Sequence, residues 1–312
     1  MSTSPRVSVV VPAYNAEGTL GETLSSVLRG QEVDLEVLVV DDGSTDGTAG
    51  VADAFGEPVR CARVANGGVA SARNHALERA RGELVAFCDA DDRWLPGKLA
   101  AQVALLDAQP ECGLVTCGYR PVAPDGTPLT RSPGVVPRPE PRSVWVFEDL
   151  LLEGNFVATL TVVLRAEILR EVGGFDTSLR TSEDYDLWLR VARRSAFGHV
   201  PGIFAEYTVS PGSLSHVHVE PVYAATREVV VRHAQSLGAS PSVVRRRLAE
   251  IDLEEGWEHL NRGHGRAART PLFRSLKAKP SIRTAAYLGA ALLGVGRSRR
   301  SAGPAARSTE AG

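Results

Sequence analysis

Short apolar runs alternate with segments of helical periodicity over the first 120 residues. Residues 7–11 and 84–88 are mainly apolar runs of strand length, whereas residues 15–29 place leucine or valine every three or four positions. Strands with little polar interruption are typical of a parallel sheet covered by helices on both faces. The predicted strands are 7–11, 35–40, 59–64, 84–88 and 113–119, and the predicted helices are 15–29, 46–55, 69–81 and 96–108.

The pattern changes after residue 119. Residues 120–142 are rich in proline and glycine and predict a loop or hairpin. Further helices are predicted at 144–152, 166–172 and 183–194, with a strand at 159–164, strand segments up to about 209 and helices from 221 to 294. We therefore expect a mainly parallel α/β domain over 1–220, a helical extension over 221–297 and a disordered tail over 298–312.

The composition restricts the class of protein. A formal net charge of -2 argues against a general nucleic-acid-binding protein, so no nucleic-acid partner is expected. No segment is apolar over a length that spans a bilayer. The residues before the first strand lack a signal-peptide pattern, and the four cysteines form no Cys-x-x-Cys pair. These features predict a cytoplasmic protein with reduced core thiols.

Positive charge is concentrated toward the C-terminus. From Arg262 onward basic residues dominate, Glu310 is the single acidic residue, and an apolar patch lies between residues 287 and 293. Two interpretations stay open for this region. It is either a solvated helical tail with some core contacts, or a segment, 262–300, that contacts anionic lipid peripherally at the inner face of the plasma membrane.

Three carboxylates follow the predicted strand 84–88 within four positions, namely Asp89, Asp91 and Asp92. Negative charge gathered at the end of a buried strand is unfavourable without a counter-charge. Mg²⁺ and Mn²⁺ prefer oxygen ligands and often bridge to substrate phosphates, so we expect one of these cations here. The alternative is a solvated acidic loop.

Three more candidate signals lie at strand ends, where open α/β sheets form their ligand crevice. Tyr14 offers a flat face to a nucleobase, or is simply an aromatic residue at a helix start. Asp42 could accept hydrogen bonds from a base or ribose; residues 42–53 approach the spacing of a calcium loop, but a strand precedes them where an EF-hand has a helix. Gly68 lets the backbone approach a phosphate at a helix start, and Arg73 could bind that phosphate or form an ion pair.

A fifth signal begins at the Gly-Gly pair 173–174. It leads to Ser182, a predicted helix cap, and then to Glu183 and Asp184. Acids in a first helical turn suit the helix dipole, which is a sufficient structural explanation for Glu183. An acid at a helix start that faces a cleft is also a credible general base.

Taken in this order, the motifs resemble glycosyltransferase family 2 with its GT-A fold, a Rossmann-like sheet flanked by helices. The resemblance runs from about Val7 to Ser215, and its matching segments are 9–15, 39–46, 68–74, 89–91, 173–176 and 183–184. It implies a hexosyltransferase-type enzyme that moves a sugar, with inversion, from a nucleotide sugar to a glycan or lipid-linked acceptor. Cell-envelope, exopolysaccharide or other glycoconjugate synthesis is the implied setting.

The resemblance also implies roles for individual residues. Asp184 would be the catalytic base, and Asp89 and Asp91 would coordinate Mg²⁺ or Mn²⁺ together with the diphosphate of a UDP-, GDP- or dTDP-sugar. The candidates for donor binding are Pro12, Ala13, Tyr14, Asp42, Gly68, Arg73, Asp89 and Ala90. The acceptor-side candidates are Gly174, Phe175, Asp176, Glu183 and Trp188.

One stretch departs from the family pattern, and two other functions compete with it. Related enzymes often carry Arg and His where this sequence has Thr208 and Ser210, so the side chains that would contact the diphosphate or metal are missing. A non-catalytic nucleotide-sugar-binding protein is one alternative, although Asp184 argues against it. An aspartyl phosphohydrolase is another, disfavoured because Asp89 and Asp91 follow the fourth strand instead of the first.

Overall fold

The computed structural model describes residues 4–129, 145–210, 219–236 and 238–294. The chain divides into two compact units, Met1–Val217 and His218–Gly312. The tail expected at 298–312 lies outside the described residues, as does the part of the predicted loop from 130 to 142.

The first unit is built on one eight-stranded sheet. Its strands are β1 Val7–Ala13, β2 Leu35–Asp41, β3 Val59–Arg63, β4 Leu84–Phe87, β5 Arg93–Trp94, β6 Cys112–Val122, β7 Val163–Arg165 and β8 Ala196–Thr208. The strand order is β3-β2-β1-β4-β7-β6-β8-β5. The first four strands in that order are parallel, β7 is antiparallel to both neighbours, β6 and β8 are parallel, and β5 is antiparallel to β8. The predicted mainly parallel α/β fold is confirmed.

Seven helices flank this sheet within the described part of the first unit. They are α1 Leu20–Leu28, α2 Thr48–Asp53, α3 Val69–Leu77, α4 Lys98–Ala108, α5 Phe147–Glu153, α6 Ala166–Val172 and α7 Glu183–Ala192. Strands β1, β2 and β4 are covered on both faces, so their side chains are buried almost throughout.

The strand register sets the carboxyl ends of the parallel strands side by side. Ala13 at the end of β1 is paired with Asp41 at the end of β2, and Val10 is paired with Phe87 at the end of β4. The segments that follow these strands therefore begin at one edge of the sheet, as expected for a ligand crevice.

Two local predictions were wrong. Residues 159–161 form a 3₁₀ turn, and the predicted strand begins only at Val163. The turn is closed because both the backbone N–H and the Oγ1 of Thr161 donate to the Ala158 carbonyl. The helix predicted from residue 15 begins at Leu20, since Asn15 has a positive φ of 48°. The cysteines are free thiols, as predicted, and three of them are buried.

The second unit is helical in its described residues. Its helices are α8 Val219–Ser236, α9 Pro241–Asn261, α10 Gly265–Ala278 and α11 Ile282–Leu292. A small apolar core forms where α9, α10 and α11 meet, around Leu260, Leu272 and Ala291. Within the described ranges, none of the helices combines the length and the apolar character that a membrane crossing requires.

Candidate active site

The loops that follow β1 and β2 are tied to each other. The Ser44 Oγ accepts a hydrogen bond from the Asn15 N–H over 2.9 Å, and the Asn15 Oδ1 accepts one from the Thr45 N–H. The side chain of Tyr14, next to this link, is 53% exposed, whereas Pro12 and Ala13 are buried at the end of β1. Of these three donor-binding candidates, Tyr14 presents its side chain to solvent.

Asp42 holds the loop that precedes α3. Its carboxylate is buried and accepts two hydrogen bonds, from the Gly67 N–H and the Gly68 N–H, each over 2.8 Å. Gly68 has a φ of 86°, a conformation that favours glycine because a Cβ would strain it. Asp42 thus connects the end of β2 to the start of α3 through backbone contacts.

Arg73 on α3 joins the two acidic motifs. Its guanidinium is buried and donates to the Glu183 Oε1 over 2.7 Å and to the Asp89 Oδ1 over 2.8 Å. The Cζ of Arg73 also lies 5.2 Å from the centroid of the Phe175 ring. Of the two interpretations of Arg73, phosphate binding and an ion pair, the structure shows the ion pair. The ion pair also brings Asp89, two residues after the end of β4, next to the first residue of α7.

The carboxyl groups of Asp91, Glu183 and Asp184 have raised pKa values. Burial and the charge of Asp89 raise the pKa of the half-buried Asp91 to about 6. Burial raises the pKa of Glu183 to about 6, although Arg73 opposes that shift. Burial also raises the pKa of Asp184, again against the effect of Arg73. The site therefore concentrates carboxyl groups that resist ionisation without a further positive charge.

Asp92 has a structural role. It is buried, and its Oδ1 accepts a hydrogen bond from the Thr208 N–H over 2.9 Å, while its carbonyl accepts one from the Thr23 Oγ1. Burial raises the pKa of Asp92 well above its usual range. The sequence pattern groups Asp92 with Asp89 and Asp91 as negative charge that a cation would offset, whereas its carboxyl group is buried and fastens the end of β8.

Asp184 is held by residues that the sequence analysis did not single out. Its Oδ2 accepts hydrogen bonds from the Asn155 Nδ2 and the Thr159 Oγ1, both over 3.2 Å, and its Oδ1 accepts one from the Tyr185 N–H. Asn155 and Thr159 lie between α5 and β7, and no pattern in that segment pointed to the site. Together these bonds fix the orientation of the carboxylate.

The Gly-Gly segment before α7 is fixed by Asn74. The Asn74 Oδ1 accepts from the Phe175 N–H and its Nδ2 donates to the Phe175 carbonyl, each over 2.8 Å. A Cβ at Gly174 would overlap the Asn74 amide, so this approach requires glycine. The Arg190 guanidinium donates to the carbonyls of residues 172–174. The segment is thereby attached to both α3 and α7.

Most of the acceptor-side candidates make contacts within the protein. Phe175 and Trp188 are buried and pack with Phe87 in edge-to-face contacts, with ring centroids 5.5 to 6.4 Å apart. Glu183 is buried and forms an ion pair with Arg73. Asp176 accepts hydrogen bonds from Ser178 within its own turn. Gly174 alone among these candidates is exposed.

The helix cap predicted at Ser182 was also wrong. Ser182 adopts a left-handed conformation with a φ of 61°, and its side chain makes no cap hydrogen bond to α7. The left-handed conformation differs from the extended one in which an N-cap side chain reaches the first turn.

Asp89 and Asp91 are suited to bind a divalent cation that the phosphates of a bound ligand would also coordinate. Among the described residues, no group of three or more His, Cys, Asp or Glu side chains is arranged to hold a metal by itself. Asp91 makes no ion pair in the described ranges, and Asp89 and Ala90 adjoin it at the sheet edge. Because Mg²⁺ is commonly bound by one or two carboxylates together with water and substrate phosphates, two carboxylates are a sufficient protein contribution.

Comparison with known proteins gives several relatives that are named glycosyltransferases. The family model described as Glycosyl transferase family 2 matches residues 8–152. TuaG of Bacillus subtilis (strain 168), which carries the name of a teichuronic acid biosynthesis glycosyltransferase, is 34% identical over 217 residues, 68% of this chain and 82% of TuaG. The chain spans between 28% and 60% of the length of several Rickettsia proteins with the name of uncharacterized glycosyltransferases.

Solved structures share the fold. Staphylococcus aureus TarS 1-349 in complex with UDP-GlcNAc is 21% identical, with a TM-score of 0.65 over 93% of this chain and 88% of TarS. The mannosyltransferase PcManGT from Pyrobaculum calidifontis, in complex with GDP-Man and Mn²⁺, is 25% identical, with a TM-score of 0.56 over 93% of this chain and 81% of PcManGT. The GT-A fold prediction is confirmed by these similarities. With motifs in family order and a relative 34% identical over most of its length, the chain belongs to glycosyltransferase family 2 and is a glycosyltransferase.

Proposed function

We propose that this protein transfers a sugar, with inversion, from a UDP-, GDP- or dTDP-sugar to a hydroxyl group of a glycan or lipid-linked acceptor. Its setting would be the synthesis of a cell-envelope polysaccharide, an exopolysaccharide or another glycoconjugate, which the name of TuaG supports. The neighbours that hold UDP-GlcNAc and GDP-Man support a nucleotide-sugar donor. The observation that carries the proposal is the Arg73 guanidinium, which joins Asp89 of the first acidic motif to Glu183 of the second.

The donor would lie along the carboxyl edge of β1, β2 and β4. Tyr14 is exposed there and can stack on a nucleobase, while Asp42 fixes the Gly67-Gly68 backbone that would approach the donor. Asp89 and Asp91 would hold Mg²⁺ or Mn²⁺, and the neighbour PcManGT with Mn²⁺ supports that choice. When bound, the cation stabilises the charge that develops on the departing diphosphate.

Asp184 would act as the general base. It would take the proton of the acceptor hydroxyl as the oxygen of that group bonds to the anomeric carbon and the bond from that carbon to the diphosphate breaks. Attack from the side opposite the leaving group gives inversion. Burial raises the pKa of Asp184, which makes its ionised form a stronger base, and the bonds from Asn155 and Thr159 hold its orientation.

The test is the Asp184→Asn variant, with Asp53→Asn, an exposed carboxylate elsewhere in the unit, as its control. Binding of UDP-GlcNAc and GDP-Man with Mn²⁺ is measured by calorimetry, and turnover by release of the nucleoside diphosphate with a panel of glycan and polyprenyl acceptors. We expect Asp184→Asn to bind the donor normally and to lose transfer. Normal turnover of this variant would refute the base, and a wild-type protein that binds donors without turnover would support the non-catalytic alternative.

A further inference from the structure

One face of α11 is apolar and exposed. Ile282, Ala286, Gly289 and Leu293 follow one another at intervals of four, three and four residues, which places them on one side of the helix. Ile282 is 91% exposed and Leu293 is 81% exposed. The opposite side, through Ala291, packs into the core of the second unit. The helix therefore leaves an apolar stripe without a partner among the described residues.

The neighbouring helix α10 exposes a cationic stripe with an aromatic residue within it. Arg266, Thr270, Phe273 and Lys277 follow the same spacing and are all exposed, and Phe273 reaches 61%. Arg266 and Lys277 make no ion pair with any described residue. The buried side of α10, through Leu272, faces the core. Phe273 is thus an exposed apolar side chain between two unpaired cations.

Three other cations of this region have acidic partners on α9. Arg262 pairs with Glu258, Lys279 pairs with Glu250, and Arg274 pairs with Asp252 and Glu255, all of which are acids of α9. No acidic residue occurs in the sequence between Glu258 and Glu310. Nothing in this stretch of sequence neutralises the cations on the exposed stripes.

Arg269 adds a positive charge beside the end of the apolar stripe. Its Nε donates to the Ala291 carbonyl over 3.1 Å, and its Nη2 donates to the Leu292 carbonyl over 3.4 Å. The last turn of α11 is therefore fixed to α10, and Leu292 and Leu293 are presented next to a guanidinium.

We propose that these two stripes form a membrane-docking face that binds a bilayer surface containing anionic lipid. Ile282, Leu293 and Phe273 would insert at the level of the headgroups, while Arg266 and Lys277 would bind lipid phosphates. A second copy of the chain is the competing occupant of an apolar face. A symmetric contact would place the like charges of both copies against each other, which disfavours it. The proposal is independent of the proposed transfer reaction.

The test is flotation of the full-length protein with vesicles of phosphatidylcholine, with and without phosphatidylglycerol. We expect binding to the anionic vesicles alone, and weaker binding at high salt. The double variant with Ile282→Ser and Leu293→Ser, the serine pair, should no longer float with the vesicles. The pair Arg266→Gln and Lys277→Gln should lower the affinity about fivefold for each cation removed.

Matched controls separate this surface from general effects. Ile203→Ser removes a half-exposed apolar side chain from β8, and the pair Arg29→Gln and Arg245→Gln removes the same charge from exposed positions elsewhere. Both should float like the wild type, and thermal unfolding should show that all variants are folded. Equal binding to neutral vesicles, unchanged flotation of the serine pair, or a dimer that the serine pair dissociates would each overturn the proposal.

Discussion

The Arg73 guanidinium lies 2.7 Å from the Glu183 carboxylate, although the two residues are 110 positions apart in the chain. Both side chains are buried, and the second Nη of Arg73 donates to Asp89. The pair therefore fixes the start of α7 against the end of β4. Because Asp184 is the next residue of α7, its position depends on the same contact.

Replacing Arg73 with methionine is expected to lower the free energy of unfolding by about 3 kcal/mol. Removal of one partner of a buried ion pair leaves the other charge uncompensated, and here two carboxylates lose their partner. Urea denaturation measures the change. Arg79→Met, just beyond α3 and half exposed, should change the free energy by less than about 0.5 kcal/mol. Equal stability of the two variants would show that the ion pair contributes nothing.

Asp91→Asn is expected to weaken the binding of Mn²⁺ together with a nucleoside diphosphate by at least about tenfold. Asn keeps the shape of Asp91 but removes the charge that a cation would neutralise. Calorimetry with UDP and with GDP, with and without Mn²⁺, measures the effect. Asp53→Asn, an exposed acid beyond the site, should behave like the wild type. An unchanged dependence on Mn²⁺ in Asp91→Asn would remove Asp91 from the list of ligands.

Thr159→Val is expected to shift the acidic limb of the pH profile of kcat/KM toward higher pH. The Thr159 Oγ1 donates to Asp184, and a hydrogen bond to the ionised form lowers the pKa of a carboxyl group. Without this bond the pKa rises further, so a base that must be ionised becomes active only at higher pH. Thr226→Val, whose Oγ1 donates to the Val222 carbonyl within α8, should leave the limb in place. A limb that moves equally in both variants would contradict the assignment.

In the Lys98→Met variant, the free energy of unfolding is expected to vary less with pH in the alkaline range. Lys98 is fully buried, its Nζ lies 4.0 Å from the centroid of the Trp94 ring, and burial lowers its pKa to about 8. The unfolded chain, with a lysine pKa of about 10.4, binds more protons between these values, so the stability contributed by Lys98 rises with pH there. The wild type should gain about 2 kcal/mol relative to Lys98→Met between about pH 7 and about pH 9.5. Parallel curves for the two proteins would contradict a lowered pKa.

Most of the strands, and the acidic motifs near their ends, could be recognised from the sequence because those signals are local. The apolar runs that become β1 and β4, and the acidic residues directly after β4, can be recognised in windows of a few residues. The two-residue strand β5 is too short to show a period, and the 3₁₀ turn at Thr159–Thr161 depends on a side-chain hydrogen bond.

Partners that lie far apart in the sequence could not be predicted. The contacts of Asp42 with Gly67 and Gly68, and of Asp184 with Asn155, join segments that no pattern relates. Phe175 and Trp188 were assigned to the acceptor side because the sequence near a motif does not distinguish a buried aromatic residue from an exposed one.

The Asn74 amide occupies the space where any other residue at position 174 would place its Cβ. These two positions consequently impose an order on evolutionary change. A smaller residue at 74 would first open room for alanine at 174, whereas alanine at 174 arising first would displace the segment that leads to the Glu-Asp pair. In descendants of this sequence, a substitution at position 74 would therefore have to precede one at position 174.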